Sequence, residues 1–160
     1  ERKELSLANL DIYDSNRVNL ILGYITDSIK PLFAPEDYLG LSNGLYEMLI
    51  NAVEHGNLGI DSEEKEKLLD AGTYAEILSK KVRENLQPVH VLLTNDREKI
   101  VIQITDQGKG FDHRARVEGK KELTLSGRGI SIARHYFDEV NYSGTGNSVA
   151  LVKYLKPLAK

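Results

Sequence analysis

Two polar turns decide most of what this chain can fold into. Residues 89–94 and 100–105 are apolar-rich alternating runs joined by little more than Asn95-Asp96-Arg97-Glu98. A connection that short folds one strand back on the other, which predicts an antiparallel hairpin. Residues 139–142 and 149–155 repeat the signal around Gly144-Thr145-Gly146-Asn147. Two hairpins leave too few strand–helix–strand units for a doubly wound parallel sheet. The expected class is α+β: a two-layer α/β sandwich, with a mixed, mostly antiparallel sheet and helices on one face.

Helical periodicity dominates the first half. Residues 3–12 alternate loosely and suggest a first strand. Asp14 or Ser15 then caps a helix reaching about residue 33, with Val18, Ile21, Leu22, Ile25 and Ile29 on its apolar face. A second helix is expected over residues 36–55, because Leu41, Leu45, Met48, Leu49, Ala52 and Val53 fall at helical spacing. Gly56 and Gly59 end it. Residues 57–88 read as an insertion of two short charged helices, one after Ser62 and one opened by a capping box from Thr73 to Glu76. Residues 111–126 are polar, basic and glycine-containing, hence a loop, and residues 127–137 a last helix.

The chain has 160 residues, enough for one well-buried core, and reads as a single domain over 1–160. Its 21 Lys and Arg against 24 Asp and Glu leave a net charge of -3, with no bulk attraction to nucleic acid or an anionic membrane. Without cysteine there is no disulfide, thiolate chemistry or cysteine-ligated zinc. No apolar run approaches the ~20 residues of a membrane span, so the cytoplasm is the expected location. A start at Glu1 rather than Met suggests a piece of something longer.

Three segments carry chemistry. Glu47, Asn51 and His55 are spaced four apart and climb one helix face. Such a stripe fits a solvated face. It also fits a site, since Asn suits Mg²⁺ as a hard neutral ligand and Glu can take a proton from a hydroxyl or water. Asp106-Gln107-Gly108-Lys109-Gly110 follows a strand of β-branched residues. It reads as an ordinary turn, or as a carboxylate accepting from an adenine amine beside glycines that admit a flat ligand. Ser126-Gly127-Arg128-Gly129-Ile130 precedes the last helix, whose free N–H groups and dipole suit phosphate. Lys109, Arg114, Arg116, Lys120, Lys121 and Arg128 surround it, either as a solvated basic loop or as partners of a polyphosphate. Neither turn is a dinucleotide fingerprint or a P-loop. The four histidines lack metal-ligand spacing.

In this order the motifs resemble the ATP-binding domain shared by gyrase, a heat-shock chaperone, mismatch-repair ATPases and histidine kinases. Among these the chain looks most like the bacterial anti-sigma-factor serine kinases. Glu47 to Gly56 is similar to that family's N box, Asp106 to Gly110 to its adenine-binding glycine box, and Gly127 to Ile130 to its second glycine box. The run from Gly146 to Lys153 resembles its closing strand. The resemblance implies a histidine-kinase-like ATPase fold binding ATP and Mg²⁺, with Asn51 holding the metal and Glu47 as catalytic base. Asp106 would read adenine, and His55, Gly108, Gly110, Gly127, Arg128, Gly129, Ile130 and Ser148 would complete the ATP site. Residues 111–126 would be a lid. It implies a serine or threonine on a STAS-type anti-anti-sigma protein as substrate, a sigma factor as a further partner, and a homodimer. Asn147 and Ser148 stand where the family often has Thr, and the insertion is longer than its compact pattern. Two other functions fit the same motifs: the catalytic domain of a histidine kinase, and a non-catalytic ATP-sensing module.

Overall fold

The computed structural model describes residues 1–110 and 125–156, with no side-chain account of 125–127. Among the described residues five strands form one sheet in the order β1-β2-β3-β5-β4, antiparallel throughout. They are β1 (Arg2–Leu7), β2 (Val89–Asn95), β3 (Lys99–Thr105), β4 (Glu139–Ser143) and β5 (Ser148–Tyr154). Both hairpins form as expected. In the first, the Asp96 carboxylate accepts from the Glu98 and Lys99 N–H groups at 2.7 and 2.8 Å, which closes the turn without glycine.

Alternation sends one side chain in two toward the helices. Val91, Leu93, Ile100, Ile102, Ile104, Val149 and Leu151 are all buried on that face. Against them pack α2 (Ser15–Thr26), α3 (Pro35–Asn51) and α6 (Leu125–Tyr136), through Ile25, Leu45, Leu49 and Ala133, with Phe137 just after α6. Asp14 rather than Ser15 caps α2, accepting from the Asn16 and Arg17 N–H groups at 3.0 Å. The insertion is helical as expected, α4 (Ser62–Asp70) and α5 (Tyr74–Glu84).

Several local expectations are corrected. The first strand stops at Leu7, because Asp11 accepts from the Ala8 N–H at 3.0 Å and turns the chain into a short α1 (Asn9–Tyr13). The next helix ends at Thr26, and a 3₁₀ turn at Lys30–Leu32 follows around Pro31. The Thr73 side chain makes no capping bond to α5, whereas Asp61 caps α4 by accepting from the Glu64 N–H at 2.7 Å. The last helix starts at Leu125, two residues early, so 125 and 126 belong to it; the rest of the expected lid, 111–124, lies outside the described residues.

The correction that matters most is in the site helix. Only residues up to Asn51 are α-helical; Ala52–Asn57 widen into a π-helical segment. The Leu58 N–H reaches back five residues to the Val53 carbonyl at 2.8 Å. Widened turns of this kind are found where a side chain must be re-aimed.

Candidate nucleotide site

One cleft holds about 450 Å³ of space, open solvent included, between the end of α3 and the ends of β3 and β5. Asn51, His55 and Gly56 line one wall, and Asp106, Gly110 and Asn147 the other. Met48, Ala52, Ile104, Tyr142 and Val149 supply apolar surface between them. The helical spacing had placed Met48 and Ala52 in the core; both are buried and face the cleft as well.

Asp106 is the anchor of the second wall. Its carboxylate accepts from the Gly108 N–H at 2.8 Å and packs on the Gly56 backbone, where a Cβ would stand 2.3 Å from Asp106 Cγ. The Asp106 N–H donates to the carbonyl of Asn147, the residue before β5, at 2.9 Å. Burial raises its pKa, an effect the Gly108 bond opposes. Gly108 itself presses on Gly56, whose carbonyl oxygen would lie 2.5 Å from a Cβ there. Gly110 has φ of 80° and no room for a Cβ against the Thr145 carbonyl. These glycines therefore answer to close contacts within the protein, where the sequence suggested only room for a ligand.

On the first wall, the Nδ2 of Asn51 is buried and finds no hydrogen-bond partner among the described residues. A buried amide group left unsatisfied is costly, and a polar ligand relieves that cost. His55 Nδ1 donates to the Ile60 carbonyl, which assigns the proton to that nitrogen and fixes the ring in the cleft wall. Glu47 is half-buried one turn before Asn51. Its pKa is raised, chiefly by burial, with Lys65 opposing and Glu54 adding to the shift.

The third motif meets the first through α6. A Cβ on Gly129 would lie 3.0 Å from Glu47 Oε2 and 3.5 Å from Asn51 Nδ2. Gly129 is therefore a buried packing position inside the helix, and not part of a turn before it as its sequence suggested. Gly127 stands in the first turn, where N–H groups lack intrahelical partners. The Arg128 residue is exposed, and Ile130 packs against the core. Ser148 borders the cleft, but its hydroxyl is engaged by Thr105 at 3.0 Å and Gln103 at 3.1 Å, both on strand β3. Of the six surrounding cations, Lys109 and Arg128 are exposed, and the other four lie outside the described residues.

Sequence reasoning missed Glu54 and Asn57. Both are buried polar residues on the π-helical segment, and a strict helical period gives them no inward direction. Among the described residues no group of three or more His, Asp or Glu could hold a metal by itself.

No curated protein matches the chain. Residues 30–153, which include all three motifs and the insertion, match the family described as the histidine kinase-like ATPase domain. With the antiparallel sheet, the one-sided helical layer and the cleft at the end of α3, this makes the chain a member of the histidine kinase-like ATPase domain family.

Proposed function

We propose that the cleft binds Mg·ATP and that the chain passes the γ-phosphate to a serine or threonine of a protein substrate. The observation that carries this is the pairing of opposite walls. Asp106 is held on one, and the Asn51 Nδ2, a donor without a partner among the described residues, is buried on the other, with apolar surface between. Adenine fits this arrangement, its amine donating to the Asp106 carboxylate and its ring lying along Met48, Ala52 and Ile104.

The triphosphate then extends toward α6, whose first-turn N–H groups and Arg128 meet negative charge. Asn51 offers the oxygen that suits Mg²⁺, and one protein ligand is enough for an ion that keeps waters and phosphate oxygens. When bound, the metal neutralises phosphate charge. Glu47 accepts the proton of the attacking hydroxyl, and its raised pKa makes it a better base than an ordinary carboxylate. The chain's part is positioning and charge, as phosphoryl transfer requires.

The substrate this reading favours is a STAS-type anti-anti-sigma protein, with a sigma factor as the competing partner. The test is incubation with labelled ATP, Mg²⁺ and candidate STAS proteins. Acid-stable phosphoserine or phosphothreonine supports the reading. Acid-labile phosphohistidine supports a histidine-kinase catalytic domain, and binding without transfer supports an ATP-sensing module.

A further inference from the structure

Beside the cleft lies a set of buried polar groups that the proposed chemistry does not use. Glu54 is 3% exposed and sits on the π-helical segment directly before His55. It accepts from the Tyr13 hydroxyl at 2.7 Å and from the Tyr74 hydroxyl, and it pairs with Lys65 Nζ at 2.7 Å. Tyr13 ends α1, Lys65 belongs to α4, and Tyr74 opens α5. Burial acts to raise the Glu54 pKa, but Lys65 and the two tyrosines outweigh it and hold the group below its ordinary value. A buried carboxylate stays charged only when it is paired and bonded in this way.

Asn57 closes the same segment, 7% exposed. Its Nδ2 donates to Asn9 Oδ1 at 2.9 Å and to the Gln87 carbonyl at 2.8 Å. Its Oδ1 accepts from the Gln107 N–H at 2.8 Å, inside the turn that follows Asp106. Asn85 Nδ2 donates to the Asn57 carbonyl at 2.9 Å. One amide thus joins the chain leaving the insertion to the turn that carries the second wall of the cleft.

The two anchors bracket His55 and Gly56, and Asn51 immediately precedes the segment. Elsewhere the insertion is held by the buried Ile60 and by Asn9 Nδ2, which donates to the Asn85 carbonyl at 2.9 Å. α4 buries no residue, and α5 buries only Leu78 and Val82. The two helices themselves bury little, so the polar anchors carry much of their attachment, and elements with few buried contacts open at low cost.

We infer that Glu54 and Asn57 are positioning residues through which the helical insertion sets the affinity of the cleft for nucleotide. The inference rests on the ATP-binding reading above. Docked, α4 and α5 hold the π-helical segment and the Asp106 turn in register. Released, they let Asn51, His55 and Asp106 drift apart, and the two walls no longer share one ligand.

The test compares Lys65→Met, Lys65→Arg and Asn57→Ala in the whole chain, by calorimetry with Mg·ATP and by amide hydrogen exchange without nucleotide. Lys65→Met and Asn57→Ala are expected to weaken binding at least about fivefold, the low end of site-to-site coupling, while Lys65→Arg keeps wild-type affinity. Amides of the π-helical segment exchange faster in Lys65→Met, and that of Gln107 in Asn57→Ala, while β2 and β3 stay protected. Wild-type affinity in both Lys65→Met and Asn57→Ala overturns the inference alone. Loss of protection across β2 and β3 overturns it in favour of a purely structural role. A wild-type chain that binds no ATP overturns the ATP-binding reading and the inference with it.

Discussion

The Asp106 carboxylate rests on the Gly56 backbone so closely that a Cβ at residue 56 would stand 2.3 Å from its Cγ and 2.5 Å from Oδ2. The contact joins two segments fifty residues apart and sets the distance between the walls of the cleft. Gly56→Ala must therefore displace Asp106 or the π-helical segment. Overpacking of this kind costs about 1–3 kcal/mol, so a lower urea midpoint is expected together with a loss of ATP affinity by calorimetry. Wild-type values for both would show that the contact yields freely.

Asn51→Ala separates fold from ligand. The Nδ2 it removes is buried without a partner, so unfolding free energy should change by less than about 1 kcal/mol. Mg²⁺-dependent ATP affinity should fall at least about tenfold, or 1.4 kcal/mol. Equal affinity with and without Mg²⁺ in the wild-type chain would remove Asn51 as the metal ligand.

Glu47→Gln should bind ATP and lose transfer, by roughly 10²–10⁴-fold for a general base. Burial raises the Glu47 pKa above its ordinary 4.5, so transfer by the wild-type chain should rise with pH through a midpoint displaced upward. For stability the sign is the reverse. A carboxyl with a raised folded pKa stabilises the fold fully below its unfolded pKa, and that contribution is lost as pH rises through the folded one. Glu47→Gln should accordingly be more stable than wild type at neutral pH, with the gap closing in acid. A transfer rate equal to wild type would exclude Glu47 as the base.

Glu54 titrates in the opposite sense. Its lowered pKa gives stability present above the unfolded value and lost as pH falls through the folded one. Glu54→Gln leaves Lys65 unpaired at a mostly buried position, a loss of roughly 3–5 kcal/mol at neutral pH. Denaturation curves across the acid range should show the wild-type advantage shrinking below the ordinary carboxylate pKa. A constant difference would mean that the ion pair is not its source.

Gly129→Ala tests the junction of α3 and α6. Alanine favours a helix over glycine by about 1 kcal/mol, which offsets the tight approach of a Cβ to Glu47. Stability should stay within about 1 kcal/mol of wild type. Transfer should fall because Glu47 must move, and single-turnover rates measured at saturating ATP would reveal it.

Much of the architecture was legible because it is local. Period-two runs around 96 and 145 and the helical stripes before residue 51 contain their own geometry, and both hairpins and the main helices follow from them. Two of the three motifs name residues that line one cleft, Asn51 and His55 with Asp106 and Gly110, and the third meets the first where Gly129 abuts Glu47. Ile130 and the Ser148 hydroxyl answer to contacts outside the cleft, because core packing and neighbouring strands claim them.

What the chain determined by itself, then, is the order of its main elements and which residue types stand in its three motifs, since periodicity and turn residues act over a few positions. The tertiary structure alone decided the π-helical segment, the glycines at 56 and 129 as contact points, and the tie between insertion and cleft. Each depends on partners far along the chain: Glu54 on Tyr13, Lys65 and Tyr74, Gly56 on Asp106, and Asn57 on Gln87 and Gln107. A local pattern holds no record of such a partner, because burial and hydrogen bonding are satisfied only when the segments have packed.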